Sequence, residues 1–317
     1  MEYFYQTQPI PNPFSRYFHT YGCHTLETAS SLVLELVVSW GLLLPLPRSI
    51  LIVVGILLAI FQIMLILSAN LSYLNWLTLL PILFCWDDDF FVTVFQFPSV
   101  SSNQGNRHLF DSSNDDDDSF NYASYDVLFG VAMVLLSIPH VTNFFAPLST
   151  FRMIGSFDPL QLMNAFGAFG VVSEERIELI VTSSMDGKLW KEYEFPAKPG
   201  NIRQRPKQVA PYHCRLDWQL WMAAQYPTIH ASSPWMYRFL IKLLEADPGV
   251  LQLLSKDPWN GQKPQWIRIE KYHYNFNNDK TCTGDYWSRE HRGRFYPRMG
   301  MGATLTDLWR QVDRQGG

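Results

Sequence analysis

Three neighbouring residues could do chemistry: His213, Cys214 and Asp217. The spacing of four between His213 and Asp217 places both on one helix face, provided that the helix begins early enough. A cysteine beside a histidine can act as a nucleophile when the histidine takes the thiol proton, and zinc would need two further ligands. The alternative interpretation is a helix-start network in which His213, Arg215 and Asp217 satisfy the backbone and one another.

Two more ionisable residues, Glu35 and His140, stand in apolar stretches of the sequence. Ionisable side chains inside membrane segments are costly and are therefore functional candidates. With the His213 and Asp217 pair, they could supply acid and base groups to an intramembrane or interfacial transferase. We expect Glu35 to face the interior of a helix bundle, and the alternative is a helix-end carboxylate shielded by its neighbours.

The sequence contains no GxSxG elbow, no phosphate-binding P-loop and no dinucleotide fingerprint. Phe166-Gly-Ala-Phe-Gly170 lacks the flanks of a phosphate loop and predicts a tight turn that leads into a strand. The aspartates at 115–118 lack the alternating ligands, turn glycine and closing glutamate of a calcium loop. We therefore predict no catalytic residue, no metal and no cofactor.

Charge and cysteine usage exclude further classes of protein. The net charge of −4, without a basic stripe, argues against a nucleic-acid partner. The four cysteines, Cys23, Cys85, Cys214 and Cys282, do not form a CxxC motif. Cys214 and Cys282 could pair in an oxidising compartment, and two free thiols are equally consistent with the sequence.

Residues 1–150 are predicted to form a transmembrane region. Residues 50–69 carry no charge and one strongly polar side chain, Gln62, and about 20 apolar residues in a helix cross the roughly 30 Å bilayer core. Three other segments are candidate spans: 31–47, 71–86 and 126–147. The aspartate-rich residues 87–125 predict a solvated acidic loop.

Asn70-Leu-Ser72 is formally an N-glycosylation sequon. It directly follows the strongest candidate span, where a glycosyl acceptor is difficult to reach. We expect Asn70 to be unmodified.

Residues 151–317 have the pattern of a folded aqueous domain. Alternation predicts strands over 176–182, 189–195 and 266–276, and Asp186-Gly187 supplies a turn between the first two. Helical spacing predicts helices over 212–224 and 235–245, with a shorter helix opened by Asp247-Pro248 and ending near 254. The fold class is therefore a multi-pass α-helical membrane segment followed by an α+β domain with a mainly antiparallel sheet.

The domain is unusually rich in large aromatic residues. Such rings serve cores and protein-binding surfaces equally well. The candidate partner surface, or alternatively a structural cluster, consists of Trp190, His213, Asp217, Trp218, Trp266, Tyr272 and Tyr274.

Several long, uncommon strings resemble the lipase maturation factor family, in order along nearly the whole chain. They are Glu2-Tyr-Phe-Tyr-Gln-Thr-Gln-Pro-Ile-Pro-Asn-Pro13, Leu71-Ser-Tyr-Leu-Asn-Trp76, Phe166-Gly-Ala-Phe-Gly170, Tyr193-Glu-Phe with Lys198-Pro-Gly200, Pro211-Tyr-His-Cys-Arg-Leu-Asp-Trp218, the Asp247-Pro junction and Lys271-Tyr-His-Tyr274. The resemblance implies a multi-pass protein of the endoplasmic reticulum membrane, with a lumenal C-terminal domain at 151–317 and a cytosolic acidic loop. It also implies a partner class: newly made secreted lipases, which the family helps to fold and to assemble as dimers.

Members of that family are longer and have further spans before the position of Met1, so the chain is expected to be a C-terminal portion, an alternative start or an incomplete gene model. The end at Gly317 is consistent with a natural C-terminus. We therefore carry three hypotheses: a membrane-anchored, chaperone-like folding factor without enzymatic activity, a transferase-type enzyme, and a truncated relative that only occupies partners. The first follows from the resemblance, since partly folded clients expose apolar surface that a binder can shield.

Overall fold

The structure is a computed structural model that describes residues 1–42, 44, 46–83, 85–86, 88–95, 116–147, 154–166, 173–226, 235–277 and 284–300. The chain forms two compact units. One combines Met1–Phe90 with Ser173–Gly317, and the other is Phe91–Val172. The first unit therefore joins the N-terminal helices to the C-terminal domain, although the second unit lies between them in sequence.

Helices make up the N-terminal part of the chain. In order they are α1 (Glu2–Thr7), α2 (Ser15–Tyr21), α3 (His24–Leu36), a 3-10 helix (Val38–Leu42), α4 (Arg48–Ser68), α5 (Leu74–Leu83) and α6 (Asp88–Phe95). Val54 and Leu58 of α4 pack against Ile82 of α5. Gly55 permits this close approach, because a Cβ atom there would lie 2.7 Å from the Trp86 indole nitrogen.

In the part of the chain that the structure describes, two helices are long and apolar enough to cross a membrane: α4, and residues Val127–Phe144 of a later helix. They correspond to the predicted spans 50–69 and 126–147. Residues 31–42 are instead divided between the end of α3 and the 3-10 helix, since β-branched Val37 and Val38 are weak helix formers and a glycine follows them. Within 71–86 the helix is α5, whose 10 residues are about half of the length that a straight crossing needs.

Among the residues that the structure describes, Glu35 does not face a bundle interior as expected. It lies exposed near the end of α3, where the Ser31 hydroxyl donates to its carboxylate over 3.1 Å. The hydroxyl one turn earlier on the same helix therefore partners the carboxylate.

The second unit contains the 29-residue helix α7 (Asp116–Phe144), with Pro139 inside it, and a two-stranded antiparallel sheet of β1 (Ile154–Ser156) and β2 (Asn164–Phe166). Helix α6 and the start of α7 fall within residues 87–125, so the prediction of an acidic loop is wrong for those two stretches. Acidic residues are compatible with the beginning of a helix, and the sequence of α7 begins Asp-Asp-Asp. The remainder of the predicted loop lies outside the described residues.

The C-terminal domain is built on a four-stranded antiparallel sheet with the order β4-β3-β5-β6. Its elements are β3 (Arg176–Ser184), β4 (Lys191–Glu192), α8 (Arg215–Ala224), α9 (Trp235–Leu244), α10 (Pro248–Leu251), β5 (Trp266–Phe276) and β6 (Trp287–Gly300). Strands and helices are segregated, which confirms the predicted α+β class with an antiparallel sheet.

The turn after β3 has the predicted chemistry. Gly187 has a φ of 73°, a left-handed conformation that glycine adopts without steric penalty. The Asp186 carboxylate accepts the backbone N–H groups of Lys188 and Leu189, each over 2.9 Å. The following strand is shorter than predicted, because only two of residues 189–195 pair with β3. A strand over 189–195 would place Leu189 on the same face as Tyr193, but Leu189 is 59% exposed whereas Tyr193 is buried.

The sheet has two faces with different partners. On the helix face, residues of β3 and β5 such as Leu179, Val181, Ile267 and Ile269 pack with α8 and α9 in the main core. On the opposite face, Ile180, Tyr274, Phe276 and Trp287 form a second buried cluster. No helix of the C-terminal domain covers this second face in the part of the chain that the structure describes; residues from the N-terminus contact it instead.

Residues 5–12, which we call the N-terminal clasp, are buried throughout and bond to the C-terminal domain. The fully buried Arg176 donates to the carbonyls of Gln6 over 2.7 Å and of Pro9 over 3.1 Å, and it also donates to the Gln8 carbonyl. The Trp221 indole donates to the Thr7 carbonyl over 2.8 Å. These long-range bonds make the clasp part of the C-terminal core.

A second joint links the domain to the end of α4. Asn70, 1% exposed, donates to the Lys207 carbonyl over 2.7 Å and accepts the N–H groups of Val209 and Ala210 over 3.0 and 3.1 Å. One amide therefore satisfies three backbone groups of the loop that leads to α8. Buried polar groups need such partners, which explains why an asparagine follows an otherwise apolar helix.

Candidate functional site

The structure does not assemble His213, Cys214 and Asp217 into a catalytic group. Helix α8 begins at Arg215, with Cys214 at its N-cap, so His213 precedes the helix and shares no helix face with Asp217. The buried Asp217 carboxylate accepts the backbone N–H groups of Ala197 and Lys198 over 2.9 and 2.7 Å. Asp217 therefore has the backbone partners that the structural alternative requires, but they come from residues 197–198, and a network that also includes His213 and Arg215 stays a prediction.

Electrostatics in this cluster are dominated by burial. Burial raises the pKa of Cys214 to about 11, with a smaller contribution from Asp217. It also raises the pKa of Asp217, although the two backbone N–H groups and Lys198 oppose that change. For His213, burial and then Arg215 lower the pKa. Cys214 is a free thiol and is neutral near pH 7, whereas a nucleophile needs the thiolate.

Metal-binding geometry is also missing from the residues that the structure describes, since no three His, Cys, Asp or Glu side chains converge there. His140 lies in α7, where its ring is 5.6 Å from that of Phe157. Cys282, the proposed partner of Cys214, and residues 167–170 of the glycine-bearing stretch lie outside the described ranges.

The predicted aromatic surface divides into two groups. Trp218 and Tyr274 are buried, and they serve as core residues. Trp190, Trp266 and Tyr272 are half-buried, and each carries an arginine over its ring: Arg268 at 3.9 Å from Trp190, Arg298 at 4.9 Å from Trp266 and Arg289 at 4.8 Å from Tyr272.

Trp266 also packs directly on the backbone of Gly300, where a Cβ atom would lie 2.6 Å from the indole ring. Its ring is thus enclosed by Gly300 and Arg298 rather than offered freely to solvent. Cation–π contacts of this kind contribute about 0.5–1 kcal/mol at exposed sites. A role of these rings in partner binding stays a prediction.

Glu270 is the centre of a group of ion pairs on strands β5 and β6. Its buried carboxylate lies 2.9 Å from Arg268 Nε, 2.7 Å from His291 Nε2 and 3.8 Å from Arg294 Nε. Two of these three partners come from β6, a strand that the sequence did not predict. The signal that could have found it was the repeated arginine of Arg289-Glu-His-Arg-Gly-Arg294, since charged residues protect edge strands against unwanted pairing.

A surface cleft of about 300 Å³ lies beside the start of α8. It is lined by Pro196, Tyr212, His213, Cys214, Arg215, Leu216, Asp217, Gln219 and Leu253. Tyr212 is 72% exposed and Leu253 is 52% exposed, so two large apolar side chains stand open at its rim. Arg215 is exposed and has no acidic partner among the described side chains. Sequence reasoning found His213 and Asp217 but missed Tyr212 and Leu253.

Comparison with known proteins identifies the family. The lipase maturation factor transmembrane domain matches residues 1–93, and the lipase maturation factor C-terminal domain matches residues 162–297. The chain belongs to the lipase maturation factor family. The first match contains α4, which supports a membrane domain in the N-terminal part, and the second contains β3, β4, β5 and most of β6.

Individual relatives agree with this assignment. Lipase maturation factor 1 of Bos taurus is 36% identical over 94% of this chain, and that of Homo sapiens is 35% identical over 95%. Lipase maturation factor 2 of Homo sapiens is 35% identical over 52% of this chain and 24% of its own length. These relatives are named as maturation factors and not as enzymes. The chain spans about half the length of the first two, 55% in each case, and no solved structure matches it.

Proposed function

We propose that this chain assists the maturation of secreted lipases as a folding factor anchored in the endoplasmic reticulum membrane, with its C-terminal domain in the lumen. Its role is to bind incompletely folded lipase and to favour assembly of the active dimer. The observation that carries this proposal is the family membership over both the transmembrane and the C-terminal regions.

The mechanism requires binding alone. A protein that binds partly folded lipase, which exposes apolar surface, keeps that surface from aggregation and shifts the outcome towards the native dimer by mass action. The buried, neutral thiol of Cys214 and the carboxylate of Asp217, which is committed to backbone N–H groups, support a role without covalent chemistry.

The cleft beside α8 is the proposed contact for the client. Tyr212 and Leu253 supply exposed apolar surface, and Arg215 adds a positive charge without an acidic partner in the described part of the domain. The complementary occupant is an apolar segment of an unfolded lipase chain with a carboxylate beside it. A tyrosine beside an arginine is a combination typical of residues that dominate binding energy at interfaces.

The test is the specific activity of a secreted homodimeric lipase, co-expressed with this chain in cells that lack their own maturation factor. Immunoblots of the membrane fraction establish that the chain is present. We expect wild-type chain to restore lipase activity per unit mass. We expect Tyr212→Ala with Leu253→Ala to reduce that recovery about 30-fold, since two lost contacts in a desolvated interface are together worth roughly 2 kcal/mol.

The matched control is Leu189→Ala with Tyr226→Ala, which removes the same side-chain types from exposed positions outside the cleft. Equal loss in both double variants would contradict the cleft assignment. No rescue by stably inserted wild-type chain would contradict the proposed function itself and would favour a relative that only occupies partners.

The transferase alternative has less support, because its candidate groups are separated in the first unit: Glu35 lies on α3, whereas Asp217 is bonded to residues 197–198. Alanine at Glu35 or His140, both outside the proposed client cleft, should leave lipase recovery unchanged. A complete loss from any one of these changes, with normal protein level, would revive the enzymatic alternative.

A further inference from the structure

Helix α4 is long and apolar enough to cross a bilayer, so we place the edge of the bilayer at its C-terminal end. The Ser68 carbonyl, in the last residue of that span, accepts the Ser15 hydroxyl over 2.9 Å, and the Leu67 carbonyl accepts the Asn12 amide over 2.8 Å. Asn70 then holds the Lys207 carbonyl. Residues near Ser15 and near Lys207 therefore lie at the depth where an apolar helix ends and the polar headgroups begin.

Aromatic side chains occupy the same level. Phe14, Tyr17 and Tyr21 are spaced three and four residues apart, so they share one face along α2, and all three are exposed. Tyr73 and Trp76, which follow Asn70, are exposed as well. Aromatic rings that are apolar on their faces and polar at one edge concentrate at membrane interfaces, which supports the same placement of α2 by an independent observation.

Two positive charges at this level share a further aromatic ring, that of Tyr286. The guanidinium carbons of Arg16 and Arg205 lie 5.3 and 5.9 Å from the centre of the Tyr286 ring, so one aromatic side chain holds both. Lys207 is exposed two residues beyond Arg205. None of these three cations has an acidic partner among the residues that the structure describes, whereas their neighbour Arg203 is paired with Asp285 over 3.2 Å.

We propose that Arg16, Arg205 and Lys207 form a binding site for the headgroup of an anionic phospholipid in the adjacent leaflet. The phosphate oxygens accept the guanidinium and ammonium N–H groups, while Phe14, Tyr17 and Tyr21 contact the region between headgroup and acyl chain. Tyr286 fixes the orientation of the two arginines, which lowers the entropy lost when a lipid binds. This inference does not depend on the proposed role in lipase maturation.

The test uses the full chain in a neutral detergent, titrated with short-chain phosphatidylglycerol or phosphatidylcholine, with bound lipid counted by native mass spectrometry. We expect phosphatidylglycerol to bind more tightly than phosphatidylcholine. The triple variant Arg16→Gln, Arg205→Gln and Lys207→Gln should weaken phosphatidylglycerol binding about 100-fold, since a cation near an anionic membrane surface contributes roughly fivefold.

The matched control replaces three exposed cations elsewhere, Lys188, Arg238 and Lys263, with glutamine, so the change in net charge is the same. It should bind as wild type does, and Arg16→Lys with Arg205→Lys should retain most of the affinity. Equal weakening in both triple variants, or no preference for phosphatidylglycerol, would overturn the proposal. Displacement of the lipid by millimolar inorganic phosphate would overturn the assignment to a lipid and indicate a site for free anions.

Discussion

Replacement of Arg176 by leucine should be among the most damaging single changes in the chain. The Arg176 guanidinium is fully buried, donates to three carbonyls of the N-terminal clasp and pairs with Glu178, which Lys198 also contacts at 2.9 Å. Leucine removes all of these donors but leaves the carbonyls and the Glu178 carboxylate in place. The Glu178 carboxylate and the three clasp carbonyls then remain buried with fewer hydrogen-bond donors.

The loss of stability caused by Arg176→Leu can be estimated from these contacts. Breaking a buried ion pair by removal of one partner costs about 3–5 kcal/mol, and each buried carbonyl left without a donor adds about 1–3 kcal/mol unless water enters. Proteins have a total stability of only about 5–15 kcal/mol. The ion-pair contribution alone, about 4 kcal/mol, corresponds to a fall of roughly 10 °C in Tm for a domain of this size, and unsatisfied carbonyls would increase that fall.

The assay is thermal unfolding of the purified full chain in detergent, followed by tryptophan fluorescence and by proteolysis of the clasp. Trp221 and Trp287 report on the region directly, since the first bonds to the clasp and the second lies 5.7 Å from Arg176. Arg238→Leu, at an exposed position, is the control and should change Tm by less than about 2 °C. If Arg176→Leu melts within that same margin, the clasp is not an integral part of the core.

Three further predictions concern the same unit. Asn70→Ala should lower stability by about 2–3 kcal/mol in the same assay because three backbone groups lose their partner; a Tm equal to wild type would refute this. Because burial raises the pKa of Cys214 to about 11, alkylation at pH 8 should be far slower there than at exposed Cys23 and should rise about tenfold per pH unit towards pH 11, as mass spectrometry of labelled peptides can establish. Residues 151–317 expressed alone should aggregate, and co-expression of residues 1–93 should recover a soluble complex in detergent, measured by size exclusion; a folded, monomeric fragment would contradict the role of the clasp.

The spacing of apolar residues was enough to predict the helices and strands in which that spacing matches the buried face. Alternating residues gave β3 and β5, and helical spacing gave α8 and α9 within a few residues. Asp186-Gly187 specifies its turn by side-chain acceptors and a positive φ, and both of these depend only on neighbouring residues. Such elements need little information from distant parts of the chain.

Strand β6 could not be predicted in this way, because it lies at a sheet edge where most side chains face solvent. Its pairing is specified by β5, through contacts such as His291 with Glu270. The start of α8 was also placed too early, since Pro211 and Tyr212 belong to the preceding loop. That difference of a few residues separated His213 from Asp217 and removed the basis for a catalytic pair.

The burial of the N-terminal clasp could not be predicted from the sequence for a different reason. Residues 5–12 contain prolines and polar side chains, so their composition predicts an exposed segment, yet every one of them is buried. Their partners, Arg176 and Trp221, are more than 160 residues away in sequence. No periodicity within one segment can reveal a burial that depends on such remote donors.

Two joints, one at Arg176 and one at Asn70, have a consequence for how the cleft would meet a client. Both bond the C-terminal domain to residues that directly adjoin α4: the clasp through the Gln8 and Asn12 amides, which donate to the carbonyls of Ser68 and Leu67, and Asn70 by position. The position of the domain relative to α4 is therefore set by folded contacts rather than by a flexible linker. The cleft should accordingly stay at a fixed distance from the bilayer, so a change that loosens either joint should impair lipase recovery even when Tyr212 and Leu253 are intact.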